Sequence, residues 1–269
     1  MTLILAIPTA QGIVLASDTQ YTSGEVRTTG PKIYPLNGQC AWAGAGEIAL
    51  IQRVQEAIEA ASARHSLADL RDSLARMVQQ SVRALLELDV LTEFVQSDPT
   101  LLLSLHPGDF IFAEFNQGQP RMLHITSSGT PEWISSLFAS GNGANFAYAL
   151  MQKYQTTQLS LESASLLAFK VIDETIQVGA YGLDYPIDIW LIRETGLARL
   201  EEKELLLLAE ATETLRQKEI RLLRQVPFQF EPTKPAKENK GSKKDPDRGK
   251  LKKTEKTEKT EKSAPVVGA

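Results

Sequence analysis

The sequence predicts an α+β fold in which antiparallel sheets pack face to face and helices cover their outer faces. One observation carries this. Apolar periodicity alternates in blocks, reading strand pair, helix pair, strand pair, helix pair, strand, the order expected when sheets and helices occupy separate layers. Composition agrees, because 269 residues at 42% apolar content suffice for one sizeable core.

Each block has its own signals. Residues 2–8 (TLILAIP) and 12–18 (GIVLASD) are apolar runs around a polar break, a hairpin pattern. Residues 32–36 (KIYPL) and 39–43 (QCAWA) flank Asn37-Gly38, the dipeptide best suited to the positive φ angles of a tight turn, so four strands are expected before any helix. From Glu47 the period changes: Ile51, Val54 and Ile58 recur at helical spacing, and after Ser66, with Asp69 three residues on as a cap, so do Leu67, Leu70, Leu74, Met77, Val78 and Leu85. Residues 109–115 and 121–126 return to strand character around Asn116-Gln117-Gly118-Gln119. A helix follows Gly141-Asn142-Gly143 through Met151, another runs from Ser160 to near Gly179, and residues 186–192 form a strand. Residues 197–226 read as a long, charged helix.

Charge is uneven. The net charge is −4, but residues 231–269 hold twelve Lys/Arg against seven Asp/Glu, leaving −9 for the rest. That end repeats Lys-Thr-Glu three times with almost nothing apolar, so burial cannot offset its ordering entropy and a disordered tail is expected. Its alternating signs argue against a nucleic-acid partner. No stretch approaches the roughly 20 apolar residues that span a bilayer, and the start lacks a secretory pattern; a cytoplasmic protein with no membrane partner is the expectation. The single cysteine, Cys40, sits in an apolar run and reads as a packing residue. His65, His106 and His124 are widely spaced without a metal-ligand pattern. Gly141-Asn142-Gly143 lacks the third glycine and downstream acid of a dinucleotide loop. Neither a metal nor a cofactor is called for.

Thr2 opens a strand, Asp18 ends the second, Lys32 precedes the third, and Ala43-Gly44 leads into the first helix; residues 17–24 read SDTQYTSG. In order and near spacing these resemble the proteasome β-subunit family, including the bacterial HslV peptidase, over about residues 2–195. The resemblance implies the four-layer αββα sandwich of amino-terminal nucleophile (Ntn) hydrolases for 2–195; beyond it, the chain's own pattern gives a C-terminal helix extension for 196–230 and the tail for 231–269. It also implies a threonine-type endopeptidase in an oligomeric ring, acting on peptides or proteins, with an ATPase partner left open. Removal of Met1 would expose Thr2. A threonine hydroxyl needs a base, and a free α-amine with a pKa near ~8 is one already attached. Lys32 would favour the neutral amine and Asp18 would orient Lys32. Gly44 would offer a backbone amide to the oxyanion, while Gly44 and Gly46 serve close strand–helix packing equally well.

Two departures stand out. The family's serine between two glycines is Asn142 here, whose amide would have to substitute, and its later Asp-x-x-Ser has no clean match; Asp184 lies nearby without a following serine. A catalytically silent assembly protein of the same fold, or an Ntn hydrolase of small amides, are therefore the competing expectations.

Overall fold

Side chains on each core strand alternate between two buried faces, and this sorts the interior into three layers of packing. The computed structural model describes residues 2–23, 26–60, 66–88, 108–155, 158–179 and 182–226. The first sheet contains β1 (Leu3–Thr9), β2 (Gly12–Asp18), β10 (Phe138–Gly141), β11 (Ile187–Arg193) and β12 (Gly196–Arg199), in the order β10-β1-β2-β11-β12. The second contains β5 (Ile33–Pro35), β6 (Cys40–Gly46), β7 (Gly108–Asn116), β8 (Gln119–Thr126) and β9 (Pro131–Ile134), in sequence order. Every pairing is antiparallel.

Helices α1 (Ile48–Ala60) and α2 (Leu67–Leu88) cover the second sheet: Leu50, Val54, Leu74 and Val78 pack on Cys40, Trp42, Phe110 and Phe112. Helices α3 (Ala144–Met151) and α4 (Leu161–Val178) cover the first, where Ala147, Ala164 and Ala168 meet Leu3, Leu5 and Val14. Between the sheets, Ile4, Ala6, Ile13 and Leu15 pack against Ala41, Ala43, Ile111 and Met122. This is the expected four-layer αββα sandwich. With both faces buried, the strands read as near-continuous apolar runs.

Local chemistry sets the ends. Ser66 Oγ accepts from Asp69 N–H at 3.3 Å and donates to its carboxylate at 2.7 Å, closing the predicted cap. Glu114 Oε1 accepts from Leu67 N–H at 2.9 Å, so strand β7 holds the start of α2. Ser160 caps α4, and Gly179 ends it at φ 69°, a left-handed residue that glycine adopts without a Cβ penalty.

The structure departs from the sequence expectation in four places. Among the described residues six strands precede α1, because β3 (Gln20–Ser23) and β4 (Val26–Thr29) form a separate ribbon; β4 is exposed throughout, so no apolar rhythm marks it. Edge strands β9 and β10, four residues each, are too short to show a period. Asn37-Gly38 does not form the positive-φ turn. Leu36 and Asn37 N–H both donate to Cys40 C=O, while Asn37 Oδ1 accepts from Gln39 N–H, an Asx turn that uses the side chain instead. Among the described residues the positive-φ hairpin pair is Gln117 (φ 52°) and Gly118 (φ 70°).

Finally, residues 196–199 are strand, not helix. Gly196 at φ 115° folds β12 back on β11, with Leu200 N–H donating to Ile189 C=O at 2.9 Å, and the last helix, α5, spans Glu202–Gln225. One compact unit runs over Met1–Gln225, and Leu205, Leu208 and Ala209 of α5 pack on the cluster beneath α4. The predicted tail 231–269, His65 and His106 lie outside the described residues.

Docking of α5 makes a graded prediction. Leu205→Ala and Leu208→Ala should each lose about 1–2 kcal/mol of stability, whereas Leu206→Ala and Leu207→Ala, at 59% and 65% exposure, should change it by less than about 0.5 kcal/mol. Urea denaturation of the four variants reads the difference.

Candidate active site

Antiparallel pairing of β1 and β2 places Ile4 opposite Ser17, so Thr2 and Asp18 lie at the same end of the first sheet. The Asp18 carboxylate is the centre of this end. Its Oδ1 accepts from Lys32 Nζ at 2.8 Å and from Leu3 N–H at 2.9 Å, and its Oδ2 accepts from Gln20 N–H at 3.2 Å. Both side chains of the ion pair are at 0% exposure. The Lys32 ammonium also lies 5.3 Å from the ring centroid of Tyr21, a cation–π distance. Tyr21 and Tyr34 hydroxyls both donate to Pro31 C=O, fixing the residue before Lys32.

Electrostatics here are dominated by desolvation. Burial pushes Asp18 above the ordinary carboxylate value of 3.8, with Lys32 and the two amides pulling it back. Burial likewise lowers Lys32 below 10.5, opposed by Asp18. The neutral form of Asp18 therefore adds stability below pH 3.8 that is lost as pH rises through its folded pKa. Neutral Lys32 adds stability above 10.5 that is lost as pH falls through its folded pKa. Between them, where both are charged, the pair costs stability.

Thr2 is buried, at 5% exposure. Gly141 presses on it from β10: with φ 99°, a Cβ built there would stand 2.0 Å from Thr2 O. Gly143 is also closely packed, since its Cβ would meet Thr175 at 2.9 Å, Leu183 at 3.1 Å and Leu3 at 3.4 Å. The glycines flanking Asn142 thus hold the start of β1, while Asn142 itself is exposed on the turn. Gly44 pairs with Phe110, and its Cβ would meet Phe110 at 3.1 Å and Ile51 at 3.2 Å; the strand–helix packing named in the sequence is present at this glycine.

Asp184 is exposed and accepts from the next backbone N–H, that of Tyr185, at 2.9 Å. It does not join Asp18 and Lys32. The loop carrying it does approach them: Thr19 Oγ1 donates to Pro186 C=O at 2.7 Å and Gln20 Nε2 to Gly182 C=O at 3.3 Å. Beside Thr19 opens a cavity of about 600 Å³ whose lining includes Asp188, Arg199 and Leu205.

Several polar residues at this end escaped the sequence reading. Ser17 Oγ is buried with no hydrogen-bond partner among the described residues; a lone serine in the run GIVLASD was its only signal. Ser140 Oγ donates to Asp109 Oδ2 at 3.0 Å across the two sheets, and His124 Nε2 lies 3.3 Å from Asp109 Oδ1 while its ring contacts Phe138. No local pattern links residues so far apart in the chain. Among the described residues no group of His, Cys, Asp and Glu could hold a metal ion, and no helix is long and apolar enough to cross a membrane.

The fold is a proteasome-like Ntn-hydrolase architecture. In overall shape the chain is similar to an Anbu (Gly-1) mutant from Hyphomicrobium sp. strain MC1, with TM-score 0.65, 17% identity, and coverage of 86% of this chain and 100% of that one. It is likewise similar to Anbu (ancestral beta-subunit) from Yersinia bercovieri, with TM-score 0.67, 14% identity, and coverage of 85% and 99%. Residues 2–184 match the proteasome subunit family; the chain belongs to it. Relatives include a proteasome subunit beta of Nanoarchaeum equitans (strain Kin4-M), 24% identical over 202 residues, 74% of this chain and 97% of the relative. Another is proteasome subunit beta 2 of Caldivirga maquilingensis, 26% identical over 175 residues, 64% of this chain and 80% of the relative.

Two substitutions test the energetics of the pair. Lys32→Met or Asp18→Asn alone should lose about 3–5 kcal/mol by leaving one buried charge unpaired, and the double variant should regain roughly 1–4 kcal/mol over the worse single. Denaturant titration of all four proteins at pH 7 checks the sign of the coupling. Gly141→Ala should destabilise by more than about 2 kcal/mol, because the methyl collides with the Thr2 carbonyl and the backbone is in the left-handed half of φ space.

Proposed function

We propose that this protein is a threonine-type endopeptidase in which loss of Met1 frees the α-amine of Thr2. The observation that carries the proposal is the buried Asp18 carboxylate, which binds the Lys32 ammonium and, through the same oxygen, the N–H of Leu3, the residue joined to Thr2. In the proposed cycle the Thr2 amine takes the Oγ proton and Oγ attacks the substrate carbonyl. The C–N bond breaks as the amine returns the proton to the leaving amine, and water then releases the acyl group by the reverse transfers. Lys32 lowers the proton affinity of the amine and stabilises the developing alkoxide. Gly44 N–H is assigned to the oxyanion, and Asn142 to the support of the amine.

Peptides or proteins are the proposed substrates, in the cytoplasm, with the subunits assembled in a ring. Assembly is supported by apolar side chains left on the surface, among them Trp133, Leu206, Leu207, Leu222 and Leu223. A second reading, a silent assembly subunit, is favoured by the outward-facing Asn142 and Asp184.

Intact mass followed by capture with a peptide β-lactone separates the two. The peptidase should lack Met1, carry the label on Thr2, and lose labelling and peptide hydrolysis in Thr2→Ala; hydrolysis unchanged in that variant overturns the mechanism, and a wild type that never labels supports the silent subunit. Lys32→Ala should lower kcat/KM by about 100-fold or more. Because catalysis needs charged Lys32 and burial lowers its pKa, the alkaline limb of the kcat/KM profile should fall below the ordinary lysine value of 10.5.

A further inference from the structure

Asp173 sits in α4 at 7% exposure, remote from the candidate nucleophile in sequence and on the outer, helix-covered side of the first sheet. A carboxylate at that depth is costly unless its oxygens are paired, and partners from three segments pair them. Arg216 Nη2 in α5 donates to Oδ2 at 2.6 Å, Gln177 Nε2 donates to the same oxygen at 2.9 Å, and the Tyr185 hydroxyl donates to Oδ1. Burial and the adjacent carboxylate push the Tyr185 hydroxyl up to about 12, so it remains a donor across the physiological range. A second contact between the same helices, Lys170 with Glu174 and Glu219, lies one turn away.

Tyr185 belongs to the loop that meets the candidate site. Its neighbour Pro186 accepts from Thr19 Oγ1, Gly182 accepts from Gln20 Nε2, and Gln20 N–H donates to Asp18 Oδ2. An unbroken chain of covalent and hydrogen bonds thus leads from the C-terminal helix to the carboxylate that holds Lys32.

We infer that Asp173, Arg216 and Tyr185 are positioning residues for the Asp18–Lys32 pair, and that the docked helix α5 sets the geometry of the candidate site through the 182–186 loop. The catalytic part of this statement rests on the peptidase reading above; the positioning part does not. None of the three residues touches Asp18 or Lys32 in the hydrogen bonds described, so they act through Thr19 and Gln20. Whatever loosens α5 from α4 should loosen the backbone donors of Asp18.

The full-length chain carries the test. Tyr185→Phe removes one hydroxyl from a residue that is 44% exposed, Arg216→Met removes the guanidinium, and Arg216→Lys keeps a cation. Hydrogen exchange at the Leu3 and Gln20 amides, the two backbone donors to Asp18, is compared with that of core amides in β6 and β7, while kcat and KM are measured on a peptide substrate. Tyr185→Phe and Arg216→Met should speed exchange at Leu3 and Gln20 by about 3–30-fold relative to the core amides and lower kcat by a similar factor with KM little changed, and Arg216→Lys should restore most of both. Exchange at these amides that stays at the wild-type rate, or that rises only in step with the core amides, overturns the inference. Selective exchange in the variants, when the wild type neither hydrolyses peptides nor captures the lactone, leaves the positioning network standing and removes the peptidase reading instead.

Discussion

The Asp18 carboxylate gathers the end of the sandwich around itself. Three donors reach it from separate stretches of chain: the amide that follows Thr2, the amide two residues beyond it, and the ammonium of Lys32. Both members of the ion pair are withdrawn from water, and such a pair stands only while its geometry is good and its remaining lone pairs are satisfied. Accurate placement of β1 against β2, and of the chain before β5 against both, is therefore a requirement rather than a by-product. The two tyrosine hydroxyls that hold Pro31, and the glycine that lets β10 press on Thr2, serve the same requirement from other directions.

Closing the two sheets over this pair constrains the rest of the interior. On β6 the inward side chains are Ala41, Ala43 and Ala45, and they face bulkier Ile4, Ile13 and Leu15. Small residues opposite large ones let the layers interdigitate at the density of a protein interior. On the outer face of the same strand, Trp42 packs with Phe110 and Phe112 under α1 and α2. One strand thus carries a thin inner surface and a thick outer one.

The last helix extends the dependence outward. Apolar contacts through Leu205 and Leu208 seat α5 on the body, and its charged contacts with α4 converge on Asp173, next to the loop that meets Thr19 and Gln20. The family's Asp-x-x-Ser is absent from this region. In its place stands a loop held from behind by a helix.

Much of this was legible in the chain because it depends on local rules. Helical spacing located α1 and α2; Gly141-Asn142-Gly143 marked the start of α3, and Ser160 and Gly179 bounded α4; and the residue types at 2, 18 and 32, in order, marked the site's end of the molecule. The ribbon β3–β4, the edge strands β9 and β10, and the strand at 196–199 were not legible, since short or exposed strands need no apolar rhythm and are defined by a partner elsewhere in the chain. Asn37-Gly38 carried the right residues for a tight turn, and a side-chain hydrogen bond won instead. The sequence by itself determined the layered α+β class, the family and the candidate residues Thr2, Asp18 and Lys32, because periodicity and motif are properties of neighbours in the chain. Which face of each strand meets a helix and which meets the other sheet, that Gly141 rather than Asn142 abuts Thr2, and that Arg216 reaches Asp173 from 43 residues away were decided only in the tertiary structure. These are contacts between distant segments, and their energies exist only once both segments are buried together.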